Sequence, residues 1–268
     1  MTWMWSSCGS TGCRGTEVSE PGEARGREAP VIELDRFSVE FPGFLFKPLS
    51  LCVEPGARIA LLGANGAGKS TLLRALGGRL PDYRGKILLG GTELRERLLE
   101  HRTQVGLLPE KITGTPDETV SGRLSLISAL YPSWDPEYAA RLLARLDLSG
   151  DAGMATLSKG MGLKYSFVAA EAYRPPILLL DEPTSGLDPV VRREFLALLG
   201  EVMDHGLART LIVSTHLLED VEAFADRVWV LRDGRMVEDT PLAALDPRGS
   251  KHGLSQILYD VLDRPYPG

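Results

Sequence analysis

At 268 residues, 43 % of them hydrophobic, the chain is long enough for one large α/β domain, or one with a subdomain, around a sizeable core. Its formal net charge of −6 argues against nucleic-acid binding through bulk electrostatics, which needs a basic face to displace condensed counterions, and leaves room only for a local basic patch. No apolar run approaches the ~20 residues that cross a bilayer, the longest clean one being Ile177 to Leu180, so no membrane-spanning helix is expected.

The first 29 residues differ from the rest. Between Ser6 and Ala29 the only large aliphatic is Val18, while Gly, Ser, Glu and Arg dominate, a composition that reads as a disordered extension. It lacks both a basic start and an apolar stretch of about 7–15 residues, so it is neither a secretory signal nor a lipoprotein leader ahead of Cys8. Cys8, Cys13 and Cys52 do not make an even disulfide set, and the spacing of the first two is not that of a zinc ribbon. A reducing cytosol fits such usage.

From Val31 the pattern becomes regular. Val31 to Leu34, Phe37 to Phe41 and Leu49 to Val53 alternate like strands, predicting an antiparallel β region before Pro55-Gly56. Ile59 to Leu62 then reads as a buried strand, and Gly63-Ala64-Asn65-Gly66-Ala67-Gly68-Lys69-Ser70-Thr71 follows it. Glycines there let the backbone curl so that successive N–H groups face phosphate oxygens, while Lys69 reaches the β- and γ-phosphates and Ser70 ligates Mg²⁺. Helical spacing from Leu72 to Leu76, closed by Gly77-Gly78, completes the strand, loop, helix order that this chemistry requires.

Lys86 to Leu89 and Val105 to Leu108 predict two more short strands, and Asp117 to Leu148 predicts two helical stretches broken near Pro132 and Pro136. Ile177 to Leu180 and Leu211 to Val213 are continuous apolar runs of the kind buried on both faces of a parallel sheet, with a helix from about Val190 to Asp204 between them. Arg227 to Leu231 and Met236-Val237 flank the hairpin signal Asp233-Gly234, and Gly253 to Leu262 predicts a last amphipathic helix.

Two carboxylates, Asp181 and Glu182, leave the end of the first of these runs, where ligands of α/β sheets collect. Asp181 is placed to hold Mg²⁺ through water, and Glu182, one position further, to orient and polarise an attacking water. His216 follows the second run and can donate a hydrogen bond toward a γ-phosphate oxygen, provided the two strands are neighbours.

Leu157-Ser158-Lys159-Gly160-Met161 stands between these elements, and the whole order resembles the ATP-binding cassette (ABC) ATPase family over residues 30–240. The resemblance implies an α/β fold in which a P-loop NTPase core carries an antiparallel β subdomain and an inserted helical subdomain at about 112–173, with 1–29 as an extension and 241–268 as a tail with a short helix. It makes Gly63 to Thr71 the Walker A loop, including the backbones of Asn65, Gly66, Ala67 and Gly68. Ile177 to Asp181 becomes the Walker B strand, Glu182 the catalytic glutamate, Ser185 to Asp188 the D-loop and His216 the switch histidine.

Family members pair head to tail, so that Ser158 and Gly160 of one subunit cover the ATP bound on Lys69 of the other. A helix opening at that turn offers free N–H groups and its positive dipole end to a γ-phosphate. The implied partners are a second ABC ATPase subunit, identical or not, and integral membrane permease subunits; no nucleic acid is expected, and the chain would sit in the cytoplasm, peripheral on the inner face of the cell membrane.

Two positions depart from the commonest family pattern. Lys159 and Met161 replace a glycine and a glutamine of the signature, and Leu107-Leu108-Pro109-Glu110 places a carboxylate where most members carry glutamine; it can ligate Mg²⁺ but cannot donate. Both variants resemble the ATPases of type-two bacterial ABC exporters. Adenine stacking falls on an aromatic of the early β region, where Phe41, Phe44 and Phe46 compete and Phe41 is favoured. A soluble ABC ATPase acting on nucleic acid or ribosomes, and a weakly hydrolysing regulatory half of a heterodimer, stand as alternatives.

Overall fold

The computed structural model describes residues 29, 31–110, 115, 117–204 and 209–245. The expected N-terminal extension, but for Ala29, and the helix expected over Gly253 to Leu262 lie outside them.

β1 (Ile32–Phe41) and β2 (Phe44–Val53) pair antiparallel across a tight turn, and β1 absorbs what the sequence pattern suggested were two strands. The join is a register shift between Leu34 and Phe37, where Arg36 takes a left-handed φ of 49° and the alternation of buried residues restarts. β3 (Arg58–Leu62) opens a second sheet and runs through the glycine loop into α1 (Lys69–Leu76). β4 (Arg84–Leu89) and β5 (Thr92–Glu93) return to the first sheet, whose order is β2-β1-β4-β5. Half of the antiparallel layer therefore follows the glycine loop in sequence, not only the part that precedes it.

α2 (Leu98–Gln104) leads into β6 (Val105–Leu108). A helical stretch comes next: α3 (Val120–Ser128), α4 (Pro136–Arg145), a short 3₁₀ turn over Met154–Thr156, and α5 (Lys159–Glu171). Pro136 opens α4 behind Asp135, whose carboxylate accepts from the Tyr138 N–H at 2.8 Å, so the proline that interrupts one helical pattern starts the next.

β7 (Ile177–Asp181), α6 (Pro189–Asp204), β8 (Thr210–Ser214), α7 (Leu218–Phe224), β9 (Arg227–Arg232), β10 (Arg235–Pro241) and α8 (Leu242–Leu245) complete the described chain. The second sheet has the order β10-β9-β3-β8-β7-β6, parallel throughout except for the β9/β10 hairpin. That hairpin turns at Asp233 and Gly234, both at positive φ, as a two-residue turn matched to strand twist requires.

The central parallel strands are apolar between their ends because each buries both faces. Ile177 and Leu179 of β7 pack with Leu72, Leu73 and Leu76 of α1 and with the antiparallel layer, whereas Leu178 and Leu180 pack with Phe167 of α5 and Phe195 and Leu199 of α6. Alternation thus survives as a choice between two cores rather than between core and water.

One charged cluster interrupts the second core. Glu171, at the end of α5 and 1 % exposed, takes a bidentate pair of bonds from Arg209, 6 % exposed, at 2.8 and 2.7 Å. The Tyr138 hydroxyl donates to Glu171 Oε1 at 3.0 Å, and burial, reinforced by the neighbouring carboxylate, pushes that phenol up to about 12. Removing one partner strands the other charge in a dry site, at a cost of about 3–5 kcal/mol. Arg209→Leu should therefore lower the chemical-denaturation midpoint sharply, and Glu171→Leu combined with Arg209→Leu should recover most of the loss; a double variant as unstable as the sum of its singles would show that the two charges are not coupled.

Candidate active site

Three strand ends of the parallel sheet build the site. β8 lies between β3 and β7, so the glycine loop, the Asp181-Glu182 pair and the Ser214-Thr215-His216 segment leave the carboxyl edge side by side. Asp181 pairs with Ser214 across β7 and β8, which makes the strand of His216 the neighbour of the strand of Asp181, as its proposed role requires.

The glycine loop owes its shape to close approaches. Gly63 has φ 152°, and a Cβ there would come within 2.4 Å of the Leu231 carbonyl oxygen on β9. Gly68 caps α1 at φ 107°, where a Cβ would meet the rings of Phe44 and Phe46 at 3.0 Å. These constraints press the loop against both sheets and carry Lys69 inward, leaving 5 % of its side chain exposed. Lys69 Nζ donates to the Gly63 and Ala64 carbonyls at 2.7 and 3.3 Å and pairs with Glu182 Oε1 at 3.1 Å.

Glu182 is aimed by its backbone. Its φ of 47° is left-handed for a residue that is not glycine, a conformation kept only where neighbours hold it. The Ser214 hydroxyl does so: it accepts from the Glu182 N–H at 2.9 Å and donates to Asp181 Oδ1 at 2.7 Å. Glu182 Oε2 then meets His216 Nδ1 at 2.7 Å, so Lys69, Glu182 and His216 form one contact chain. With Nδ1–H given to the carboxylate, only the imidazolium form of His216 carries a second donor, at Nε2, for a phosphate oxygen.

These side chains face a cavity of about 730 Å³, which Phe41, Asn65, Gly66, Ser70, Thr71, Glu110 and Ser185 also line. Of the three competing aromatics, Phe46 is fully buried and leaves the contest; Phe41, 40 % exposed, and Phe44 both line the cavity. Ala67 is buried beneath the loop, where its carbonyl accepts from the Gly234 N–H at 3.0 Å. Ser70 and Glu110 present hard oxygen donors to the cavity, and Asp181 lies just beneath, 7 % exposed. Such a set suits Mg²⁺, which binds through one or two carboxylates plus substrate phosphates; no group of three or more His, Cys, Asp or Glu side chains among the described residues is placed to hold a metal ion by itself.

Ser158, Gly160 and Asp188 do not line this cavity. Ser158 caps α5, accepting from the Met161 N–H at 3.3 Å, and Asp188 caps α6, accepting from the Val190 N–H at 2.8 Å. Ser214 is a site residue that sequence reasoning passed over, and Ser185, expected only as the start of the D-loop, lines the cavity. A hydroxyl ending an otherwise apolar buried strand was the available signal for Ser214.

The ABC transporter family matches residues 46–185. The chain is 38 % identical to the cobalt import ATP-binding protein CbiO of Rhodobacter capsulatus over 228 residues, covering 81 % of this chain and 80 % of that one. It is 33 % identical to the Nod factor export ATP-binding protein I of Burkholderia orbicola, covering 80 % and 69 %. Among solved structures, a dimeric bacterial ABC transporter cassette superposes with a TM-score of 0.71 at 22 % identity, covering 79 % of this chain and 98 % of that one, and so shares the fold. The chain belongs to the ABC transporter family, as an ATP-binding subunit whose hydrolysis of ATP powers transport.

Proposed function

We propose that this chain hydrolyses ATP for an exporter, with two ABC ATPase subunits closing head to tail around two Mg·ATP and separate membrane-spanning subunits doing the transport. The observation that carries the reading is the unbroken contact from Lys69 to Glu182 to His216 inside one cavity at the strand ends. Lys69 and the loop amides bind the phosphates, Phe41 stacks on the base, Glu182 addresses the attacking water and His216 donates to the γ-phosphate. Ser70, Glu110 and Asp181 would hold Mg²⁺, which supplies neutralisation of phosphate charge.

Pairing is supported by the position of Ser158 and Gly160 outside the cavity that contains Lys69, and by the dimeric cassette that shares the fold. Relatives named for import and for export are both similar to the chain; what favours export is that Leu-Pro-Glu at 108–110 and Leu-Ser-Lys-Gly-Met at 157–161 resemble the variants of type-two bacterial exporters. No helix among the described residues is long and apolar enough to cross a membrane. Contact with membrane subunits would fall on a groove near Glu110 to Val120, of which 111–114 and 116 lie outside the described residues. A cavity of about 560 Å³ beside it, lined by Pro109, Ile127 and Tyr131 and bordered by Leu126 and Leu130, 63 % and 73 % exposed, offers the apolar surface that such a contact needs.

The carboxylate of Glu182 neutralises Lys69, so a phosphate bound there competes with it. Glu182→Gln should bind ATP at least as tightly as the parent while turnover falls about 10²- to 10⁴-fold, and Lys69→Ala should lose charge-assisted bonds of about 1.5–3 kcal/mol in binding. Titration calorimetry and steady-state phosphate release check both, and a Glu182→Gln protein with parent turnover would remove Glu182 from its role. Ser158→Arg should stop hydrolysis while the chain still binds nucleotide. Mixing it with Lys69→Ala restores one complete shared site and should recover activity; mixtures as silent as their components would rule out shared sites.

A further inference from the structure

Asp220 is a buried carboxylate, 1 % exposed, that the site described above does not use. Its Oδ2 accepts from the Thr184 hydroxyl at 2.5 Å and its Oδ1 from Arg192 Nε at 2.6 Å. Thr184 is itself 2 % exposed, and Arg192 reaches outward to Glu219 at 3.3 Å. None of Thr184, Arg192 and Asp220 lines the nucleotide cavity.

The three residues come from three segments that the chemistry needs in register. Thr184 stands two positions after Glu182 in the turn that leaves β7, a turn closed by the Ser185 N–H on the Glu182 carbonyl at 3.3 Å and the Leu187 N–H on the Thr184 carbonyl at 3.2 Å. Asp220 stands four positions after His216, and the intervening chain is fixed by the Leu217 N–H on Thr215 Oγ1 at 3.0 Å and the Asp220 N–H on the Leu217 carbonyl at 3.0 Å. Arg192 lies on α6, the helix that the D-loop enters. A shift of Thr184 relative to Asp220 is therefore a shift of Glu182 relative to His216.

Energetics make the arrangement discriminating. A carboxylate taken from water is tolerated only while its donors stay in place, so a half-satisfied network is worse than none. A solvated loop contact would let the two catalytic segments drift; this one does not.

We propose that Asp220 is a positioning residue which, through Thr184 and Arg192, holds Glu182 and His216 in the register that ATP hydrolysis requires. The inference rests on the roles given to Glu182 and His216. Misplacement of about 1 Å in a reacting constellation costs up to about 100-fold in rate.

The test is steady-state Mg·ATP turnover and nucleotide titration of the full chain carrying Thr184→Val, Thr184→Ser, Asp220→Asn, or Thr184→Val with Asp220→Asn. Thr184→Val and Asp220→Asn should each lower kcat about 10- to 100-fold with KM and Kd for ATP within about twofold of the parent, since the binding groups are untouched. Thr184→Ser, which keeps the hydroxyl, should hold kcat within about threefold, and the double variant should be no more than about threefold slower than the slower single. Parent-like kcat in Thr184→Val, or a loss of ATP affinity parallel to the loss of kcat, overturns the proposal. Thr184→Val is nearly isosteric and decides alone should Asp220→Asn fail to fold. Glu182→Gln serves as the control: if it turns over like the parent, the assignment of Glu182 fails, whereas a silent Glu182→Gln beside a parent-like Thr184→Val sinks the positioning role only.

Discussion

Lys69 carries its ammonium group to a place where 5 % of the side chain meets solvent, and the surrounding residues are arranged to answer that charge. Two loop carbonyls accept from it and Glu182 neutralises it at 3.1 Å. A buried cation without a partner would cost several kcal/mol, and these contacts avoid that cost. Under the proposed function, a phosphate arriving at Lys69 would exchange one anion for another and free Glu182 to address water, so that one ion pair would couple binding to catalysis.

That coupling depends on strand order. Because β8 lies between β3 and β7, the residues ending the three strands are neighbours, and the Ser214 hydroxyl at the end of β8 can serve both Asp181 and Glu182. A strand that ends in a buried hydroxyl supplies a fixed donor and acceptor where solvent does not reach. The left-handed turn at Glu182 persists because this hydroxyl and the Ser214 carbonyl both hold its N–H. A strained residue at the sheet edge is here the means of separating two adjacent carboxylates: Asp181 stays beneath, and Glu182 turns into the cavity.

Much of this was legible in the chain because it is local. The strand, glycine loop and helix are contiguous, and Asp181-Glu182 and His216 each sit directly after an apolar run. What was not legible depends on partners distant in sequence. Glu171 and Arg209 are separated by a strand and a helix, and either alone reads as a solvated charge. Asp220 sits in a first helical turn beside Glu219, where acidic residues are common for dipole reasons alone. Phe44 and Phe46 share one face of β2, so alternation cannot tell that the second is sealed against Phe37, at 5.3 Å between ring centroids, while the first lines the cavity. β1 was split by its own bulge, and β4 joined the antiparallel sheet because pairing, not order along the chain, decides sheet membership.

The helix α5 links the two levels of organisation. Its 13 residues span about 20 Å at the usual rise, from the Ser158 cap to Glu171. The Glu171 end is fixed to the chain entering β8 by a buried bidentate pair and to α4 by Tyr138. At the Ser158 end a Cβ in place of Gly160 would come within 3.6 Å of Val191 and one in place of Gly186 within 3.1 Å of Lys159 Nζ, while Leu157 and Met161 pack against the core. The two ends of one helix thus differ in chemistry: Glu171 is sealed in a buried ion pair, whereas Ser158 is exposed and opens the turn whose first N–H groups would face a phosphate under the proposed pairing.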